Sequence, residues 1–144
     1  MVWCYMSENI DAHFTVCPSC ESENLSHDDH ESVFPYGIGA DAVNLSAIGL
    51  VHTCLDCNES FISENMAMSC HNAVCDHFGL LTPSQVRKVR GAMSPEEFSE
   101  LTGIGRASLF RWEGGKSLQS VAYDRFLRLL TFTENIARLK TYQK

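Results

Sequence analysis

Ser94-Pro95-Glu96-Glu97-Phe98-Ser99-Glu100-Leu101-Thr102-Gly103-Ile104-Gly105-Arg106-Ala107-Ser108-Leu109-Phe110-Arg111-Trp112-Glu113-Gly114-Gly115 reads as two short helices around a tight turn. Ser94 is placed as an N-cap, Pro95 as the first helical residue, and Glu97 as the third, which closes a capping box. That helix runs to about Leu101, with Phe98 and Leu101 on one face. Thr102-Gly103-Ile104-Gly105 breaks it, and a second helix runs from Arg106 to Glu113 and stops at Gly114-Gly115. Its inward stripe is Ile104, Ser108 or Leu109, then Trp112, which turns Arg106, Ala107, Phe110 and Arg111 outward. Two short helices across a glycine-containing turn form the helix-turn-helix unit.

The flanks extend this helical region. Thr82 is an N-cap for a helix from Pro83 to Gly91, with Val86 and Val89 inward, followed by Met93. A last long helix is predicted from about Gln119 to Tyr142. Its apolar face is Ala122, Phe126, Leu129, Leu130, Thr133, Ile136 and Leu139, and its later part, Phe132 to Leu139, is a candidate dimer surface or a separate short helix.

Charge divides the chain in two. Residues 1–80 contain no Lys or Arg and hold 12 of the 18 acidic residues, whereas residues 81–144 hold all 11 basic residues against 6 acidic ones. All six histidines and all seven cysteines also lie in the first half. The boundary is expected near 76–83. An acidic first half repels nucleic acid, while a basic second half attracts it.

In the acidic half, Cys17-Pro18-Ser19-Cys20 and Cys54-Leu55-Asp56-Cys57 form two C-x2-C pairs separated by 33 residues. Two such pairs supply four thiolates in the tetrahedral arrangement that suits structural Zn2+. A redox pair would instead follow a strand and open a helix. Disulfides are disfavoured without a secretion signal, and none is visible, since the first basic residue is Arg87. Fewer than 80 residues with scattered apolar positions bury little surface, so bound metal would supply folding energy.

Between the knuckles, Glu31 to Tyr36 and Val43 to Cys54 read as strands, the second with a slip in its alternation near Gly49. Phe61 is placed over the outside of the metal cage. His27 and His30, in an acidic run, read as a solvated loop. Residues 64–76 read as a helix with a stripe of Ala67, Cys70, Val74 and His77. Cys4, Cys70 and Cys75 read as ordinary thiols, and Ser7 to His13 as part of a disordered tail.

These readings give a two-domain protein, a small strand-rich zinc-binding N-terminal domain followed by an all-α helix-turn-helix domain. The expected limits are a flexible lead over 1–14, a zinc-binding domain over 15–77, a linker over 78–83, and a helical domain with a long C-terminal helix over 84–144. One structural Zn2+ per chain on Cys17, Cys20, Cys54 and Cys57 is the expected cofactor. In double-stranded DNA the second helix would enter the major groove. Arg111 is the first choice for a base contact, exposed Phe110 for a thymine methyl, and Lys88, Arg90, Arg106 and Lys116 for phosphates. No apolar run approaches the roughly 18–20 residues of a membrane span, so a soluble, cytoplasmic protein is expected. No phosphate loop, nucleophile elbow or H-E-x-x-H is present, and four cysteine ligands leave a zinc ion no open position, so no enzyme is expected. The rival reading is a protein-interaction adaptor whose helical domain never touches DNA.

Gly103 to Gly115 resembles the signature of phage-repressor-like, Xre-type helix-turn-helix domains, whose tail is an arginine, an aromatic, a glutamate, one residue and a glycine. Joined to the two upstream C-x2-C pairs, the chain resembles the YgiT-type zinc finger/helix-turn-helix family over about residues 15–131. The resemblance implies an N-terminal zinc domain that, in type II toxin–antitoxin members, holds an mRNA-cleaving toxin. It also implies a C-terminal domain that binds a palindromic operator as a homodimer and represses its own operon. A DNA-reading family arginine falls on Arg111, and a base-contacting family asparagine falls on Ala107. That departure implies a different operator, with Arg106 taking part of the reading. Pro95 stands where Xre-type domains often carry glutamine. Some family members regulate transcription without a toxin partner.

Overall fold

The computed structural model describes residues 14–143. It divides into two compact units, with the division between Val74 and Cys75. Cys4 and the expected tail from Ser7 to His13 lie outside the described residues.

The N-terminal unit is built on a three-stranded antiparallel sheet in the order β1-β2-β3, with β1 at Leu25–Tyr36, β2 at Val43–Cys54 and β3 at Ser60–Ile62. β1 and β2 form a long hairpin in unbroken register, from Leu25 opposite Cys54 to Tyr36 opposite Val43. β2 then pairs with β3, with His52 opposite Phe61. α1 follows at Glu64–Phe78, and its start is capped by Ser63, whose Oγ accepts from the Met66 backbone N–H at 3.1 Å.

Four expectations change here. β1 begins at Leu25, so His27 and His30 are strand residues rather than a loop. Pairing with β2 overrides their polar composition, a tertiary effect that local propensity does not carry. β2 has no slip. Ala47, Gly49 and Val51 alternate inward, and the pattern looks broken only because one inward position is glycine while Ile48 points outward, 66% exposed. Gly49 is small because α1 crosses it, and a Cβ there would lie 2.6 Å from Met66 Cα. The buried residues of α1 include Met66, Cys70, His71, Val74 and Cys75, while Ala67 is half-buried and His77 exposed. Burial pushes the His71 pKa down. Cys70 is disulfide-bonded rather than a free thiol. Cys75 is a buried free thiol, pushed up to about 11 by burial and by the nearby carboxylates of Asp76 and Asp124, which makes it a poor nucleophile.

The C-terminal unit is helical. α2 spans Pro83–Arg90, α3 Pro95–Thr102, α4 Arg106–Glu113, α5 Val121–Leu129 and α6 Thr133–Lys140. The Thr82 and Ser94 capping boxes are both formed. α3 ends at Gly103 in the left-handed region, φ 75°, the conformation that favours glycine at such a stop. The core is Leu81, Val86, Phe98, Ile104, Leu109, Trp112, Leu127 and Leu130. The long helix expected from Gln119 to Tyr142 is two helices, its later part forming the separate short helix that is the other reading of Phe132 to Leu139. At the break the Thr131 hydroxyl donates to the Arg128 carbonyl and Asn135 Nδ2 donates to the Leu129 carbonyl, each at 2.7 Å. Side-chain donors thus take up carbonyls that a continuing helix would use. Leu127 and Leu130 face the core, whereas Ala122 and Leu129, expected inward, are exposed.

Residues 79–81 are held tightly to the helical unit. Buried Asp124 accepts from the Leu81 backbone N–H at 2.7 Å, Gln119 Nε2 at 3.1 Å and Arg128 Nε at 2.7 Å. Arg128 also donates to the Gly79 carbonyl. Burial opposes ionisation of Asp124, but the hydrogen bonds from Arg128, Leu81 and Gln119 outweigh it and hold the carboxyl below its usual range.

Gly49→Ala is expected to cost about 1–3 kcal/mol, because the new methyl meets the α1 backbone. Gly105→Ala, with open space around its Cβ position, is expected to change stability by less than about 1 kcal/mol. Denaturant unfolding of the two variants checks the contrast.

Candidate metal centre and an exposed helix face

The two C-x2-C pairs fold into matching knuckles. The Cys17 backbone N–H donates to the Ser22 carbonyl and the Glu21 N–H to the Cys17 carbonyl, both at 2.8 Å. The second pair repeats this five-residue and four-residue pattern: Cys54 N–H to the Glu59 carbonyl and Asn58 N–H to the Cys54 carbonyl, both at 2.9 Å. Each loop turns through a residue at positive φ, Glu21 and Asn58, both at 60°. In each pair the first cysteine is buried and the second exposed.

All four sulfurs lie within 4.8 Å of one another. Cys17 Sγ is 3.6 Å from Cys57 Sγ, and Cys20 Sγ is 3.6 Å from Cys54 Sγ. Zn–S bonds of about 2.3 Å at tetrahedral angles imply sulfur–sulfur edges of about 3.8 Å, so the cluster is compatible with a structural zinc site. Asp56 ties the knuckles together. Its carboxylate accepts from Ser22 Oγ and, at 3.0 Å, from Asn24 Nδ2, while the Leu55 N–H reaches the Asn24 carbonyl at 2.9 Å. The bonds from Ser22 and Asn24 hold the Asp56 carboxyl below its usual range.

The sulfurs are also electrostatically unequal. The backbone N–H of Cys57, directed at the Cys54 sulfur, helps bring that thiol down to about 7. The Ser22 N–H favours the Cys20 thiolate, but hydrogen bonding to Cys54, burial and the other two sulfurs together push it up to about 12. Four thiolates cannot crowd together unless a cation neutralises them. Phe61 packs its ring against Phe14 at 4.9 Å and His52 at 5.3 Å. His52 and His27 are cross-strand partners, with their Nδ1 atoms 2.5 Å apart.

In the helical unit, α4 buries Leu109 and Trp112 and exposes Arg106, Ala107, Phe110 and Arg111. Lys88 and Lys116 are exposed. Arg106 Nη1 pairs with Glu96 Oε1 across the turn at 2.8 Å. The Glu96 carboxyl is held low, first by its own backbone N–H and then by Arg106. Arg111 Nη2 makes a 3.5 Å contact with Ser108 Oγ. Arg90 is only half-exposed. It grips Glu113 in a fork, Nε to Oε1 at 2.7 Å and Nη2 to Oε2 at 2.9 Å, and its Nη1 reaches the Met93 carbonyl. Arg87 donates to the Glu113 carbonyl. Arg90 and Glu113 therefore fasten α2 to the end of α4, a role that the linear pattern did not reveal. Asp56, Ser22 and Asn24 were also missed, although the repeated turn position after each cysteine pair carried a signal.

Comparison of the chain with protein-family models and with curated protein sequences finds no match. Among the described residues no helix is long and apolar enough to cross a membrane.

Purified protein is expected to carry one zinc per chain by elemental analysis, and Cys17→Ser or Cys54→Ser to lose it. Metal uptake is expected to release protons, so apparent affinity should rise as pH rises through neutrality. Calorimetry in buffers of different ionisation enthalpy measures this, and uptake without proton release would contradict it.

Proposed function

We propose that this chain is a sequence-specific DNA-binding transcriptional repressor of the YgiT-type zinc finger/helix-turn-helix family, with an Xre-type domain. One structural zinc on Cys17, Cys20, Cys54 and Cys57 would hold the N-terminal unit. The observation that carries the reading is α4, an eight-residue helix capped by glycine turns that buries Leu109 and Trp112 and leaves Arg106, Ala107, Phe110 and Arg111 on its open face. Packing accounts for the buried pair but places no demand on the exposed arginines, of which Arg106 pairs with Glu96 and Arg111 is the one most open to a ligand. Arginine is suited to guanine in the major groove and to phosphate.

The protein acts by binding alone. In a homodimer, two copies of α4 enter successive major grooves of a palindromic operator, with half-sites roughly 34–36 Å apart or a multiple of that. Occupancy of the operator blocks transcription of its own operon. The acidic N-terminal unit suits steered association with a basic partner, in this family an mRNA-cleaving toxin, which makes the protein a cytoplasmic type II antitoxin. Without a toxin partner, the same geometry serves a stand-alone regulator.

The test is fluorescence anisotropy on the chain's own promoter fragment against a scrambled duplex, at two salt concentrations. Specific, salt-sensitive binding with two protomers per site is expected. Arg111→Ala is expected to cost about 1–3 kcal/mol on the operator and much less on scrambled DNA. Equal, weak binding to both duplexes would make the helical unit a protein-docking module instead.

A further inference from the structure

Phe110 is 74% exposed in the middle of a helix whose inward residues, Leu109 and Trp112, are 1% and 6% exposed. Core packing therefore places no demand on its ring. Ala107, also exposed, lies three residues earlier, so its methyl is next to the Phe110 side chain on the same face. Arg106 and Arg111 border this small apolar strip. The two arginines are not equivalent, because Arg106 is engaged by Glu96 at 2.8 Å, while Arg111 has a 3.5 Å contact with a neutral hydroxyl.

We infer that Ala107 and Phe110 form a methyl-reading patch that recognises thymine by its 5-methyl group, beside a purine read by Arg111. The inference rests on the DNA-binding reading above and specifies what the recognition helix reads. The thymine methyl is the one apolar group that a base pair presents in the major groove, and alanine and phenylalanine are side chains that contact it. The surrounding positive charge suits a phosphate-flanked ligand better than an apolar protein groove. Glu96, by holding Arg106 toward α3, keeps a second guanidinium from competing for the same base edges. Arg106 is thereby assigned to positioning or phosphate contact.

The test starts from in vitro selection on random duplexes with the full-length, zinc-loaded chain. Affinity is then measured by anisotropy for the selected duplex and for the same duplex with deoxyuridine replacing each thymine in turn. A buried methyl is worth about 0.8 kcal/mol, so removing the contacted methyl is expected to weaken binding about three- to fivefold. Phe110→Ala, at an exposed position, should fold as wild type and bind the thymine and uracil duplexes alike. Phe110→Leu should keep part of the difference. Specific binding that is indifferent to every uracil substitution overturns the methyl reading and leaves DNA recognition standing. So does a uracil effect that survives in Phe110→Ala. Enrichment of no duplex overturns both and marks the apolar strip as a protein contact.

Discussion

Four cysteine sulfurs within 4.8 Å of one another are the constraint around which the N-terminal unit is arranged. Two knuckles 33 residues apart must meet, and the β1–β2 hairpin brings them together by folding the intervening chain back on itself. Its register sets Leu25, just past the first knuckle, opposite Cys54, the first ligand of the second. Asp56 then joins the two loops through Ser22 and Asn24. Among the described residues, Phe34, Ala47, Val51, Met66, Cys70 and Val74 are the buried apolar residues of this unit apart from the cluster. A zinc ion on the cluster would help offset the conformational entropy of ordering the sheet.

The helical unit is stabilised differently. Its eight buried core residues come from every helix but the last, together with the segments that flank them. Two carboxylates, Glu113 and Asp124, fasten the periphery. Each is paired with arginine and supported by further hydrogen bonds, so neither is an uncompensated buried charge. α4 follows the left-handed stop of α3 at Gly103 and is braced at its end by the fork between Arg90 and Glu113. The DNA recognition proposed above would draw on this preorganisation.

The parts legible in the sequence are those that local chemistry decides. Ser94-Pro95 and Glu97, Thr82-Pro83, Gly103 and Gly114 determine helix ends through contacts a few residues long, and each end fell close to its expected place. The C-x2-C spacing is equally local, and the four-sulfur cluster follows from it. What escaped is decided by distant partners. His27 and His30 become strand residues only because β2 lies beside them. The irregularity at Gly49 is visible as a close crossing only once α1 is in place over it. The final segment reads as one long helix or as a helix with a separate short one after it, because its apolar residues recur at helical spacing throughout, and nothing in that spacing announces that Thr131 and Asn135 will take two backbone carbonyls. Arg90 looked like a surface cation until Glu113 was beside it.

On this reading the sulfur cluster, once metallated, holds the sheet, while the helical unit stands on its own core. Hydrogen exchange of the full chain before and after treatment with a strong zinc chelator tests this most directly. Amides of β1, β2 and β3 are expected to lose protection on chelation, while those of α2, α3, α4 and α5 keep theirs. Unchanged protection across the sheet, or equal loss in both units, would show that metal on the cluster is not what holds the sheet.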